Sequence, residues 1–153
     1  MSADYQIDDL DRRILRKLIE DARASFVEIA KDLKVSGGTI HQRVNKMKLA
    51  GVLKGFQPVI DCAELGLTVS AMIGVHLKNA KDCNKVLEHL RKIPEVVEAH
   101  YTTGSYALII KVVTSNIESF RLFLMEDLQT ISEIQSTESF ISLETPISRQ
   151  AKI

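Results

Sequence analysis

The stretch from Ser25 to Gly51, SFVEIAKDLKVSGGTIHQRVNKMKLAG, constrains this chain more than any other. Ser25-x-x-Glu28 has the form of a capping box, in which a hydroxyl and a carboxylate satisfy the free N–H groups that open a helix. The short helix so opened carries Ile29, Ala30 and Leu33. After a brief turn at Lys34-Val35, Ser36 can cap a second helix, and Gly51 stands where a left-handed residue ends one. Ile40, Val44 and Met47 recur at helical spacing and predict a single buried stripe. Opposite them lie Gly38, His41, Gln42 and Asn45, flanked by Thr39, Arg43 and Lys46. Two helices joined by a tight turn, the second with a polar outer face, meet the requirement of a major-groove reader. The stretch therefore predicts a helix-turn-helix.

Charge supports that reading locally. Between Lys31 and Phe56 the bases are Lys31, Lys34, Arg43, Lys46, Lys48 and Lys54, and Asp32 is the one acid. The chain as a whole is neutral, which hides an asymmetry. Residues 1–60 hold 11 Lys and Arg against 8 Asp and Glu, and residues 61–153 hold 9 against 12. A basic half followed by an acidic half predicts two modules, the first with an anionic partner. At 153 residues two small domains fit.

Ahead of the motif, residues 1–7 read as a loose arm. Asp8 can cap a first helix, with Asp11 near its positive end and Leu10, Ile14, Leu15, Leu18 and Ile19 forming its apolar face. Three helices then make the first module. Val52 to Ile60, with β-formers around Gly55 and Pro58, predicts a short linker strand or ribbon, and Asp61 to Gly66 a hinge. The expected division is 1–60, a three-helix (winged) helix-turn-helix domain with its linker strand, and 61–153.

From Leu67 the apolar period becomes two. Val69, Ala71, Ile73, Val75 and Leu77 predict a strand with one buried face. Asp82 can cap a helix bearing Val86, Leu87, Leu90 and Ile93, which Pro94 ends. Val96 to Thr103 predicts a second strand, Gly104-Ser105 a turn, and Tyr106 to Val113 a third. Asn116 can cap a helix with Ile117, Phe120, Leu124 and Leu128, and Ile134 to Leu143 predicts a fourth strand. The order βαββαβ is ferredoxin-like, so the fold class is α+β. Helices cover one sheet face. Met72 and Gly74 lend the other an apolar character that predicts self-association.

Catalytic and metal-binding patterns are missing from the sequence. His41, His76, His89 and His100 are scattered, Cys62 and Cys83 lie outside any CxxC, and no nucleophile or phosphate-loop motif occurs. Neither an enzyme, a metal site nor a cofactor is expected. The acidic start MSADYQIDDLD is not a signal peptide, and no apolar run is long enough for a membrane helix, so a cytoplasmic protein is expected.

Together these segments resemble the Lrp/AsnC family of bacterial and archaeal regulators, the leucine-responsive or feast/famine proteins. The resemblance runs from about Ile7 to Pro146. It is carried by IDDLDRRIL and EIAKDLKVSGGTIHQRVNKMKLAGVLKGF, then by IGVHLK, VVEAHYTTGSYALIIKV and IQSTESFISLETPI. The later segments most resemble the asparagine-responsive branch. The resemblance implies a C-terminal domain that binds an amino-acid effector, dimers built through paired sheets, and dimers assembled into octamers. It places the effector between dimers, in a cleft lined by the strand-turn at Thr103-Gly104 and by the segment after the last helix. Two positions depart from the family pattern. Gly37 stands where many members have Pro, which leaves the second helix's start looser. Ala107 stands where many have Asp.

The candidate DNA-binding residues are Ser36, Gly38, Thr39, His41, Gln42 and Arg43, near the start of the recognition helix, with Lys46, Lys48 and Lys54 for phosphates. Thr39, His41, Gln42 and Arg43 are the expected base readers. The candidate effector residues are Tyr101, Thr103, Gly104 and Ser105, with Gln129, Thr130, Ile131, Glu133, Ile134, Gln135, Ser136 and Thr137. These supply donors for a carboxylate, acceptors for an ammonium, and, in Ile131 and Ile134, support for an aliphatic side chain. The cleft set holds no Lys, Arg or His, so a neutral amino acid is expected: asparagine by resemblance, leucine or methionine by the isoleucines. Two other readings stay open: an architectural DNA-binding protein without effector response, and a small-molecule sensor or enzyme subunit whose bundle binds protein.

Overall fold

The computed structural model describes residues 5–153. The chain divides into two compact units, the first comprising residues up to Val59 together with Ser148–Ile153, the second Ile60–Ile147. The tail expected with the second domain thus belongs in part to the first unit, where the Arg16 Nε–H donates to the Ile153 carbonyl oxygen at 2.7 Å.

The first unit is three helices, α1 (Asp9–Glu20), α2 (Phe26–Leu33) and α3 (Gly37–Leu49). Each begins at a side-chain cap. The Asp8 carboxylate accepts from the Asp11 N–H at 2.9 Å, while the Asp11 carboxylate accepts from the Asp8 N–H at 3.1 Å. Ser25 and Glu28 exchange the same pair of bonds, and Ser36 Oγ accepts from the Thr39 N–H at 3.1 Å. These bonds satisfy donors that the first helical turn leaves open. Lys34 takes the left-handed conformation (φ 56°) at the end of α2, and Gly51 (φ 74°) follows α3. Lys34 is the one non-glycine residue with positive φ among the described residues. Ile14, Leu18, Ile29, Ala30, Leu33, Ile40, Val44 and Met47 form the core. Tyr5 and Ile7 pack against it, so these residues of the expected loose arm are held. Residues 1–4 of that arm lie outside the described residues. The linker strand expected over 52–60 does not form. Pro58 lacks an N–H, and among the described residues no strand pairs with the segment.

The second unit is β1 (Val69–Leu77), α4 (Cys83–Leu90), β2 (Val96–Tyr101), β3 (Leu108–Thr114), α5 (Ile117–Leu122) and β4 (Ile134–Ser142). The sheet order is β2-β3-β1-β4 with every pair antiparallel, which is the ferredoxin-like arrangement. Val69, Ala71, Ile73 and Val75 alternate with Leu108, Ile110 and Val112 across the central pair and pack against Val86, Leu90, Phe120, Phe123 and Leu128. The helix after α5 widens into a π-helical turn over Phe123–Leu128. Asn116 caps α5 as expected, its side chain accepting from the Ser119 N–H at 2.8 Å. Asp82 does not cap α4. A single 3₁₀ turn at Ala80–Asp82 precedes that helix, and the Asp82 carboxylate faces Lys85 at 3.7 Å.

The strands on either side of the expected Gly104-Ser105 turn are shorter than the sequence suggests. Thr102 closes the connection instead, its N–H donating to the Ala107 carbonyl at 3.1 Å and its hydroxyl to the Tyr106 carbonyl. The result is a six-residue loop, 102–107. Tyr106 then lies across the second sheet face, tilted against His76 at 4.9 Å between ring centroids, with its hydroxyl donating to Glu138. Met72 and Phe140 are paired neighbours on that same face.

Candidate functional site

Helical phase sorts the α3 side chains. With about 100° between residues, Gly38, Gln42, Asn45 and Leu49 share the direction opposite the Ile40–Val44–Met47 stripe. Gln42, Asn45, Lys46 and His41 are exposed, and Leu49 is 89% exposed. His41 also sets its ring edge-on to Phe26 at 5.1 Å. Ser36 and Thr39 are partly occupied with each other, their hydroxyls 2.8 Å apart at the helix start. Lys46 and Lys54 have no ion-pair partner among the described residues, and Lys48 Nζ sits 5.3 Å from the Phe56 ring centroid. These three cations suit phosphate contacts.

Arg43 stands apart from the other expected readers. It lies roughly 60° from the centre of the core stripe and so flanks the buried side of α3. Its guanidinium donates to the Asp8 carboxylate and lies 3.4 Å from both oxygens of Asp11. The Asp11 side chain is fully buried and also accepts from the Tyr5 hydroxyl at 2.8 Å. The Asp11 N–H and the guanidinium hold the Asp8 carboxyl below the usual carboxylate range. Its hydrogen bond to Asp8 is the largest cause raising the Arg43 guanidinium above its usual value. Asn45, in contrast, is not among the expected readers, yet it lies exposed on the outward face beside Gln42. Its position three residues beyond Gln42 was the available signal.

In the second unit the candidate effector residues fall into two groups. Tyr101, Thr103, Gly104 and Ser105 line a depression together with His76, Leu77, Ala80, Thr102 and Ala107. The N–H groups of Thr103, Gly104, Ser105 and Tyr106 donate to no group of the chain among the described residues. His76 brings to this depression an imidazole that the sequence-based set lacked, so the expectation of a cleft without Lys, Arg or His does not hold at this group. The signal for the imidazole was strand register, which pairs His76 with Ser136 at the same end of the sheet.

The second group follows the π-helical turn. Gln129 is exposed, Thr130 Oγ1 donates to the Asp127 carbonyl at 2.8 Å, and Gln135 and Ser136 are exposed on β4. Glu133 accepts from the Ser132 hydroxyl at 3.0 Å and lies 3.9 Å from Lys85. Its own backbone N–H and Ser132 hold its carboxyl below the usual range. Ile131 is 5% exposed and part of the core, so it is not free to hold an effector side chain, and Ile134 packs against the same cluster. Their burial follows from the apolar surface of the π turn and β1, which the two isoleucines complete.

Within one chain the two groups meet only in part: the 102–107 loop reaches toward β4, where the Tyr106 hydroxyl donates to Glu138, and His76 of the depression pairs with Ser136. Register aligns Tyr101 with Leu108, Leu108 with Val75, and Val75 with Thr137. Tyr101 and Thr137 therefore stand at opposite edges of the sheet, roughly 14 Å apart at the usual strand spacing, although at the same end of it. Among the described residues no three His, Cys, Asp or Glu side chains gather at metal-binding distance, and no helix is long and apolar enough to cross a membrane.

Comparison with known proteins fits both halves of this geometry. A model of the AsnC-type helix-turn-helix domain matches residues 7–48, and a model of the Lrp/AsnC ligand binding domain matches residues 70–151. Regulatory protein AsnC of Haemophilus influenzae is 48% identical over 148 residues, covering 97% of this chain and 99% of that one. Regulatory protein AsnC of Escherichia coli K12 is 47% identical over 148 residues, with 97% of each covered. The solved structure of E. coli AsnC superposes with a TM-score of 0.90 at 46% identity, covering 97% of this chain and all of that one. A transcriptional regulator of Neisseria meningitidis solved as an L-Met complex shares the fold, with a TM-score of 0.86 at 23% identity and coverage of 97% and 96%. The chain belongs to the Lrp/AsnC family: it is a transcriptional regulator with an AsnC-type helix-turn-helix for DNA and a ligand-binding domain for a small-molecule effector.

Proposed function

We propose that this regulator reads its operator through Gln42, Asn45 and His41 of α3, with Lys46, Lys48 and Lys54 on phosphates, and answers to a neutral amino acid. The effector sits where two copies meet. The observation that carries this reading is that Tyr101 and Thr137 lie on opposite edge strands of one sheet, at the same end of it. A cleft using both needs the Tyr101 edge of one chain and the Gln129–Thr137 edge of another. The free N–H groups of residues 103–106 suit the effector carboxylate. Thr137, the Gln135 amide and the Glu133 carboxylate offer acceptors for its ammonium. With Ile131 withdrawn into the core, the case for an aliphatic side chain weakens. The likeness to proteins named AsnC makes asparagine the first ligand to test. The assembly is a dimer that builds to an octamer, and a ligand acts on DNA binding only by favouring one arrangement of copies over another.

The test is calorimetry of the full chain against the twenty amino acids, repeated with Gln129→Ala. Gln129 is exposed and its side chain has no partner among the described residues. A neutral amino acid should bind the parent and bind the variant at least about tenfold more weakly, one lost hydrogen-bonded contact. DNA affinity without effector should be unchanged. Preferred binding of glutamate or lysine would refute the neutral-effector reading.

A further inference from the structure

We infer that Arg43 is a positioning residue for DNA recognition: tied to Asp8 and Asp11 at the start of α1, it fixes the angle at which the outward face of α3 meets the groove, and it does not itself read a base. This rests on the DNA-binding reading above. Arg43 flanks the buried stripe, while Gln42 and Asn45 point the other way, so one side chain cannot serve both directions. The Asp11 carboxylate has no exposed surface and three kinds of partner: the Asp8 N–H, the Tyr5 hydroxyl and the Arg43 guanidinium. Arg43 is the only cation among them. Swinging it out to a base edge would leave a buried carboxylate without a counter-charge, which proteins avoid. Asp8 adds a second acid to the same guanidinium while capping α1. The middle of the recognition helix is thus locked to the first turn of another helix, and a shift of that lock moves every base contact together.

Opposite signs separate the two roles. An acid that merely stands near DNA repels phosphate, so neutralising it raises affinity. If Asp8 instead holds the lock, Asp8→Asn lowers operator affinity, and Asn keeps the cap because it caps as well as Asp. The experiment measures binding of the full-length parent, Asp8→Asn, Arg43→Ala, Arg43→Lys and Lys46→Ala across a salt series. The probes are an operator selected by the parent from random-sequence DNA, and random DNA itself. Circular dichroism fixes a temperature at which every variant is folded. Asp8→Asn and Arg43→Ala should each weaken operator binding by about tenfold, the worth of one good base contact, with the salt slope of the parent and preference eroded at all contacted positions. Arg43→Lys should recover part of the loss. Lys46→Ala should flatten the slope by about one on both probes. The inference is overturned if Arg43→Ala flattens the slope likewise, if it erases preference at a single base pair, if Asp8→Asn raises affinity, or if the variants lose thermal stability with unchanged affinity. A parent that binds neither DNA in a salt-dependent way overturns the DNA reading itself, and the lock with it.

Discussion

Gly74 is a glycine because Tyr106 lies on it. A methyl group built on Gly74 falls 2.5 to 2.7 Å from three carbons of the Tyr106 ring, well inside contact distance. Gly74→Ala must therefore displace the ring, not just its tip. Displacement breaks the bond from the Tyr106 hydroxyl to Glu138 and the packing on His76. Overpacking of this kind costs about 1–3 kcal/mol, and a lost hydrogen bond about 0.5–1.5 kcal/mol. Against this, alanine in a strand interior is better than glycine by roughly 0.5–1 kcal/mol. The net expectation for Gly74→Ala is a loss of about 0.5–4 kcal/mol, centred near 2. If the ring is the cause, removing it first should remove the penalty. In a Tyr106→Ala background, Gly74→Ala should be neutral or stabilising by up to about 1 kcal/mol. The assay is a double-mutant cycle by urea unfolding at one fixed protein concentration, since any assembly makes apparent stability depend on it. A coupling of about 2 kcal/mol is expected. Effects that add to within about 0.5 kcal/mol would show that the ring is not what demands glycine here.

Gly37→Pro should stabilise the first unit by about 0.4–1 kcal/mol, because the site is already shaped for proline. Ser36 has ψ 149°, the Gly37 N–H has no acceptor among the described residues, and the space around Gly37 is open. Slower hydrogen exchange across α3 would report the gain, and faster exchange would refute the argument. Light scattering at micromolar concentration should give a multiple of the 17.1 kDa chain, because Met72, Phe140 and the Tyr106 ring leave one sheet face apolar. A single-chain mass would contradict the proposed assembly.

The elements that could be read from the sequence are those whose signals are local. The capping box at Ser25, the caps at Asp8, Ser36 and Asn116, and the left-handed Gly51 each need only three or four neighbouring residues. Alternation in β1 is likewise complete in one stretch, and the order of elements then leaves few ways to arrange a sheet. The misreadings came where an element depends on a distant partner. Val52 to Ile60 has strand-forming residues, but a strand exists only if another strand pairs with it. Thr102 closes the 102–107 loop through Tyr106 and Ala107, and nothing in the dipeptide Gly104-Ser105 reveals this.

The same distinction governs the candidate sites. Which residues of α3 face outward follows from a 3.6-residue period, and Gln42 and Asn45 could be placed with no structure at all. That Arg43 is taken up by Asp8 and Asp11, some 30 residues earlier, could not, since composition alone reads any arginine on a polar helix as a candidate reader. Ile131 misled for a related reason. Beside a polar segment it reads as the floor of a pocket, whereas the π turn before it rotates it into the core. What survives from the effector set is a division. Tyr101 and Thr137 stand on opposite edge strands at one end of the sheet, with the 102–107 loop reaching from the first toward the second through Tyr106. A zwitterion carries its two charges only a few ångströms apart, far less than the width of four strands. A ligand held by both Tyr101 and Thr137 would therefore have to draw the two from different copies, which is the arrangement that the light scattering and the calorimetry test.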